Sequence, residues 1–270
     1  MPEGDTVWLA ASRMHAALAG QRLVEAELRV PALAAVDLVG RRVEGVRARG
    51  KHMLTRLEGG LTLHTHFEMD GSWRLFRRGQ RWTGGPAHQV RAVLGTDERQ
   101  AVGYRLPVVE LVPTAGEDRV VGHLGPDLLG EDWDEAEALR RLAARPDREL
   151  GPALLDQRVL AGVGLLYLTE TCFLRGLSPW TRVGDVADLP AVVRTARRLL
   201  LANRDRWEQT TTGDTRRGRE HWVFDRGRGA RCRRCGTALR VARQGEAEHP
   251  ERARVVAWCP HCQPGPGPAS

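Results

Sequence analysis

The chain has 270 residues, 28% of them charged, with a formal net charge of +7 and a pI near 9.9. That length supports two domains plus an appendage, and the basic balance favours an anionic partner. No run approaches ~18 consecutive apolar residues, and no basic stretch leads into an apolar one at the start. Neither a membrane span nor a secretion signal is therefore expected, and the default setting is cytoplasmic and reducing.

Residues 2–5 read Pro2-Glu3-Gly4-Asp5. Once Met1 is removed, Pro2 presents a secondary α-amine, a group that titrates near ~7.7–8.0 and is partly an uncharged nucleophile at neutral pH. Condensed with a sugar aldehyde it gives an iminium with no N–H to lose, an electron sink beside a carboxylic acid, Glu3, that can protonate a departing group. The plain alternative is that these residues only start a helix, with Asp5 as N-cap. Val7, Trp8, Ala11, Met14 and Leu18 do recur at helical spacing, and Gly20 is a suitable stop.

From about residue 22 to 112 the pattern is short strands broken by turns. Met53, Thr55 and Leu57 alternate, Gly59-Gly60 makes a turn, and Leu61, Leu63, Thr65 and Phe67 resume the alternation. Further strands are expected at 72–76, 90–94 and 108–112. The first half therefore reads as a β-sandwich with one leading helix. Two loops stand out. Arg49-Gly50-Lys51-His52 carries the one lysine among 41 basic residues, where a compact, titratable ammonium is kept although arginine serves everywhere else. Phe67-Glu68-Met69-Asp70-Gly71 puts a flexible apolar side chain at a loop tip. Met69 is either a wedge for the gap left by an extruded base or a residue that packs back on the core.

Beyond Pro113 the periodicity turns helical, over 134–144, 150–157, 164–174 and 189–202, with a domain boundary near 115–130. Ala161-Gly162-Val163-Gly164 leads straight into a helix, as a phosphate-approaching turn or as an ordinary one. Between Arg216 and Arg243 ten arginines face two acids, a net +8 that leaves the rest of the chain close to neutral and suits nucleic acid. Cys232-x-x-Cys235 and Cys259-x-x-Cys262, 23 residues apart, suit a tetrahedral four-thiolate zinc site of structural type. Cys172 reads as a buried apolar residue, and His249 and His261 as outcompeted ligands. From Gln263 onward the Pro/Gly-rich tail is expected to be disordered.

The order of these pieces resembles the formamidopyrimidine-DNA glycosylase/endonuclease VIII family. Leu154-Leu155-Asp156-Gln157 with Gly162-Val163-Gly164 looks like its helix–two-turn–helix DNA-binding element. Arg254, five residues before Cys259, is similar to the arginine of its zinc-finger hairpin, and 258–263 to its closing knuckle. The resemblance implies an α+β multidomain chain. An N-terminal catalytic β-sandwich would span 1–120, a helix–two-turn–helix domain 121–220, a four-cysteine zinc finger 221–263, and a disordered tail 264–270. It also implies a bifunctional DNA glycosylase and AP lyase of base excision repair, acting as a monomer on damaged double-stranded DNA with structural Zn²⁺.

On that resemblance Pro2 is the nucleophile and Glu3 the general acid, Lys51 supports elimination or grips a phosphate, and Arg254 holds phosphates near the lesion. Met69, Gln157, Gly164 and Leu165 fall on DNA-contacting positions. Departures are Leu165 where many relatives have asparagine, Thr6 where they often have glutamate, 103–107 in place of an Arg-Arg-Phe-Gly loop, and an apparent insertion at 245–251. These lean towards oxidised pyrimidines as substrates. A non-catalytic relative that binds abasic or branched DNA is the alternative reading.

Overall fold

The computed structural model describes residues 2–227, 229–246, 251 and 253–268, so Met1, His249 and most of the apparent insertion lie outside the described residues. The chain separates into two compact units, one ending at His123 and one beginning at Leu124, and the cysteine module belongs to the second.

The first unit opens with α1 (Gly4–Leu18). Eight strands follow: β1 (Glu25–Leu28), β2 (Val43–Arg49), β3 (His52–Leu57), β4 (Leu61–His66), β5 (Ser72–Arg77), β6 (Val90–Gly95), β7 (Arg99–Tyr104) and β8 (Val108–Pro113). They form two antiparallel sheets, ordered β1-β6-β7-β5 and β2-β3-β4-β8, which is the expected sandwich. Period-2 alternation sends Val46, Met53, Leu57, Leu63 and Val109 into one core with Met14 and Leu18 of α1. The helix packs on β2, where the Val46 N–H donates to His15 Nδ1 at 3.2 Å. A register shift at Val43/Gly45 lies under that contact, and a Cβ at Gly45 would stand 3.4 Å from the His15 ring.

The other face of the β2-β3-β4-β8 sheet is polar yet largely covered. Glu117 sits there almost buried, accepting from Arg56 Nε and Nη2 at 2.8 and 2.7 Å and from Thr62 Oγ1 at 2.8 Å, with Arg47 as a further ion pair. Burial pushes the Glu117 carboxyl up, but the hydrogen bonds from Arg56 and Thr62 and the charge of Arg47 outweigh it and hold it at about 2.

On the same face the register pairs His52 with His66 and His64 with Glu110. His52 Nδ1 lies 2.9 Å from His64 Nε2, and His64 Nδ1 lies 3.1 Å from Glu110 Oε2. An ionised carboxylate only accepts, so a neutral His64 carries its hydrogen on Nδ1 and accepts at Nε2 from His52 Nδ1. The chain therefore has one direction and leaves the lone pair of neutral His52 on Nε2. The His52 ring also meets His66 edge-on at 4.6 Å and His123 at 6.0 Å. Burial, then the neighbouring imidazoles and Lys51, lower His52 to about 3. Burial, Lys51 and His64 lower His66 to about 4.

The second unit is helical, built largely as the periodicity predicts. After a short α2 (Asp118–Val121) at the end of the first unit come α3 (Glu135–Ala143), α4 (Leu150–Leu155), α5 (Leu165–Arg175) and α6 (Leu189–Asn203). Asp134 and Asp188 cap α3 and α6 by accepting from Glu137 N and Ala191 N, and Gly176 closes α5 at φ 68°, a conformation that favours glycine. The hairpin β9 (Arg240–Gln244) and β10 (Arg254–Trp258) ends the fold. In the tail expected to be disordered, Ser178 Oγ donates to Pro266 O at 2.5 Å. Among the described residues no helix is long and apolar enough to cross a membrane.

His52 and His66 have folded pKa values below the ~6.5 of an unfolded histidine, so their contribution is complete above that pH and is lost as pH falls towards 4 and 3. Between pH 7 and 5 each should cost roughly 1–2 kcal/mol of stability. Urea unfolding should show a smaller loss over that range in a His52→Asn/His66→Asn double variant than in the parent chain. An equal loss would mean that the imidazoles are not held neutral.

Candidate functional site

In the first unit, Pro2 immediately precedes Glu3, the residue before α1, and is half-buried. Helical hydrogen bonding begins with Val7 N donating to Glu3 O at 3.1 Å, and Glu3 is the N-cap residue, in extended conformation. Asp5 therefore lies within the first turn rather than at the cap, where a carboxylate favours the positive end of the helix. Glu3 and Asp5 are each only 1% exposed, an uncommon place for two acids unless they are partnered. The proline is thus attached directly to a fixed element rather than to a frayed end.

Lys51 occupies the β2–β3 turn, next to Gly50 at φ 57°. Its ammonium lies close enough to His52 and His66 to lower both. Sequence reasoning singled out the lysine but missed the imidazole row beside it. The signal was available, since His52, His64 and His66 share one parity across two adjacent strands.

Met69 projects from the 67–71 turn and is 61% exposed, so it does not pack back on the core. The turn is tight. Gly71 N donates to Phe67 O at 2.8 Å, and a Cβ on Gly71 would fall 2.6 Å from that oxygen. Glu68 adopts φ 47°, and Arg105 Nε donates to Asp70 O at 3.2 Å. Met69 is therefore an apolar side chain displayed on a braced loop.

In the second unit, the turn between α4 and α5 is organised by Gln157. Its Nε2 donates to Leu155 O and Val163 O, both at 2.8 Å, while Oε1 accepts from Gly162 N at 3.0 Å. Both ends of the amide are engaged inside the turn, so Gln157 acts through the backbone it shapes. Gly162 at φ 102° takes a conformation closed to most side chains. Gly164 is the N-cap residue of α5, and Leu165 is its first residue, with no side-chain donor to offer.

Four thiols gather at the base of the hairpin. The Sγ atoms of Cys232, Cys235, Cys259 and Cys262 all lie within 4.8 Å of one another, with Cys232–Cys262 at 3.9 Å and Cys235–Cys259 at 3.5 Å. A tetrahedral zinc with bonds near ~2.3 Å requires sulfur–sulfur edges of roughly 3.8 Å, so the donor set fits that ion. Arg234 N and Cys262 N each donate to a cysteine sulfur at 3.4 Å. Cys232, Cys259 and Cys262 share a small core with Phe173, Val223 and Leu239, and Arg234 lies 4.4 Å over the Phe173 ring. Cys172 is separate and fully buried, its thiol pushed up to about 12 by burial, as suits a packing residue. Arg254 begins β10, is exposed, and stands opposite Gln244 of β9.

Residues 1–105 match the family of the formamidopyrimidine-DNA glycosylase N-terminal domain. A probable endonuclease 8 2 of Streptomyces coelicolor is 58% identical, over 99% of this chain and 96% of that protein. The DNA-(apurinic or apyrimidinic site) lyase Nei2 of Mycolicibacterium smegmatis is 46% identical, over 97% and 99%. In fold, the chain is similar to the Lactococcus lactis formamidopyrimidine-DNA glycosylase bound to DNA containing an AP site. The TM-score is 0.79 with 19% identity, over 98% of this chain and 100% of that one. At 58% identity over almost its whole length to an endonuclease 8, with the matching fold, the chain belongs to the formamidopyrimidine-DNA glycosylase/endonuclease VIII family, on the endonuclease VIII branch.

Proposed function

We propose that this chain is a bifunctional DNA glycosylase and AP lyase of base excision repair, with damaged double-stranded DNA as its substrate. The observation that carries the reading is Pro2-Glu3 at the start of α1, a proline whose nitrogen becomes an α-amine once Met1 is removed and a buried carboxyl set by the same helix terminus. Relatives named endonuclease 8 and AP lyase, matched along 96% and 99% of their lengths, support it.

The Pro2 nitrogen attacks C1′ of the damaged nucleotide, and the base leaves with a proton supplied by Glu3. Ring opening yields an iminium on Pro2, which acidifies C2′. Loss of a C2′ proton then expels the 3′ phosphate, and a second elimination expels the 5′ phosphate. Water finally releases the sugar remnant from Pro2. Lys51 is the cation that supports elimination or holds a flanking phosphate, and its ammonium is compact where a guanidinium is broad. Met69 fills the space left by the flipped nucleotide. Arg254 holds phosphates near the lesion, and the α4–α5 turn grips backbone through its own amides. Oxidised pyrimidines are the proposed lesions, the protein acts as a monomer in the cytoplasm, and Cys232, Cys235, Cys259 and Cys262 hold one structural Zn²⁺.

Borohydride should trap the protein covalently on duplexes containing an abasic site or thymine glycol, and Pro2→Gly or retention of Met1 should diminish the adduct. Salt-dependent binding without an adduct or strand cleavage would instead favour the non-catalytic reading. Lys51→Arg should reduce strand cleavage by on the order of tenfold or more, because position and titration of the charge change while its sign does not. Cleavage at the parental rate would show that any cation serves there. Stripping zinc with a chelator under reducing conditions should unfold the β9–β10 module and abolish DNA binding, with recovery on adding zinc, as judged by hydrogen exchange and anisotropy. A stripped protein that keeps both would remove the metal from the architecture.

A further inference from the structure

Arg254 is exposed at the start of a two-stranded hairpin, a poor platform for a residue that must meet a phosphate at a fixed place. Its position is set from the other strand. Gln244 stands directly opposite Arg254, so the two side chains leave the same face with Cβ atoms about 5 Å apart. Gln244 is only 5% exposed. Its Nε2 donates to Glu149 Oε2 and to Pro179 O, both at 2.8 Å, which seats β9 on the start of α4.

The seat exists because residue 151 is glycine. A Cβ there would fall 2.2 Å from Gln244 Oε1 and 2.7 Å from its Cδ. A second close approach lies at the strand end, where a Cβ on Gly245 would come 2.7 Å from the Cα of Ala253, next to Arg254. One residue on, Glu246 makes a charge contact at 2.8 Å with Arg148 Nε, not aligned as a hydrogen bond. Arg148 Nη1 also donates to Asp156 Oδ2 at 3.0 Å. Asp156 immediately precedes Gln157. The hairpin is thus tied to both ends of α4, the six-residue helix that leads into the α4–α5 turn and spans roughly 9 Å.

We propose that Gln244, seated on Gly151 and Glu149, is a positioning residue for Arg254, and that Arg148 is the second tie. Helix α4 then acts as a spacer that fixes Arg254 relative to the Gln157–Leu165 turn. The proposal rests on the reading that Arg254 holds DNA phosphate during strand cleavage. Neither Gln244 nor Arg148 touches the reacting atoms in this scheme.

The test is single-turnover cleavage of an abasic-site duplex by the full-length, zinc-loaded protein, with hydrogen exchange of the β10 amides measured in parallel. Gly151→Ala forces the Gln244 amide from its seat, and Gln244→Ala removes the amide. Each should lower cleavage on the order of tenfold, since an ångström of displacement is enough for such losses. Each should also speed β10 exchange while bound zinc stays at the parental level. The Gly151→Ala/Gln244→Ala double variant should match Gln244→Ala alone, because the clash has lost its partner. On an Arg254→Ala background, Gln244→Ala should add less than about twofold.

Parental cleavage by both single variants overturns the proposal, as does a loss that multiplies in full on the Arg254→Ala background. Parental cleavage by Arg254→Ala removes the phosphate-holding role beneath it. That failure is told apart from failure of the seat, which is overturned by β10 amides that exchange no faster in Gln244→Ala.

Discussion

The second unit depends on one buried carboxylate. Glu170 lies in the middle of α5, is 0% exposed, and accepts from the backbone N–H groups of Trp222, Val223 and Phe224, each at 2.8 Å, and from Thr211 Oγ1. Hydrogen bonds to a charged group contribute ~1.5–3 kcal/mol each, and three successive amides left without an acceptor would cost about as much again. These residues form the entry to the cysteine module. Next to them, Phe173 stacks on Trp222 at 5.6 Å and shares its core with Cys232 and Cys259. The module is consequently built onto α5, one helical turn from the carboxylate, instead of hanging from a linker. At the far side, Gln263 closes the fold by accepting from Cys259 N and donating to Leu177 O, both at 2.9 Å. A segment this small has little apolar surface of its own, so borrowed core and the thiol cluster must act together.

The first unit obeys a similar constraint on a sheet rather than a helix. One face of the β2-β3-β4-β8 sheet forms the sandwich core, and the opposite face buries Glu117 and His64. Polar groups survive there because each is matched, Glu117 by two arginines and a threonine, His64 by Glu110 and His52. Matching also imposes direction. A carboxylate at one end of the histidine row dictates which nitrogen carries hydrogen two residues away, beside Lys51. The lysine therefore sits against neutral rings, and it is the one compact cation on that turn.

Much of this was legible in the sequence, for identifiable reasons. Clean alternation in Met53–Leu57 and Leu61–Phe67 gave the central strands, and 3.6-residue periodicity gave α3 to α6 within a residue or two of their ends. The strands that escaped notice break those rules. Glu25-Ala26-Glu27-Leu28 is half acidic, Val43–Arg49 is interrupted by Gly45, and in β7 five buried residues in succession leave no alternation to read. Four cysteines in two knuckles announced their cluster because ligand chemistry fixes the spacing locally. Glu117, Glu170 and Gln244 could not be read in the same way. Their partners lie up to 95 residues away, and nothing local separates a buried glutamate from a solvated one.

Leu165 shows how these long-range ties bear on function. Leucine as the first residue of α5 offers no side-chain donor, so this chain has there only the backbone of the turn that Gln157 organises. On the proposed reading, a phosphate near that turn meets amide dipoles alone, and more of the grip falls to guanidinium groups on the hairpin. A guanidinium on two exposed strands is useful only if its base is fixed, because side-chain and hairpin freedom would otherwise be lost on binding. The buried amide of Gln244 and the Arg148 ion pairs supply that fixation before DNA arrives. A chain with no side-chain donor at one element therefore gains most from rigid spacing to the next.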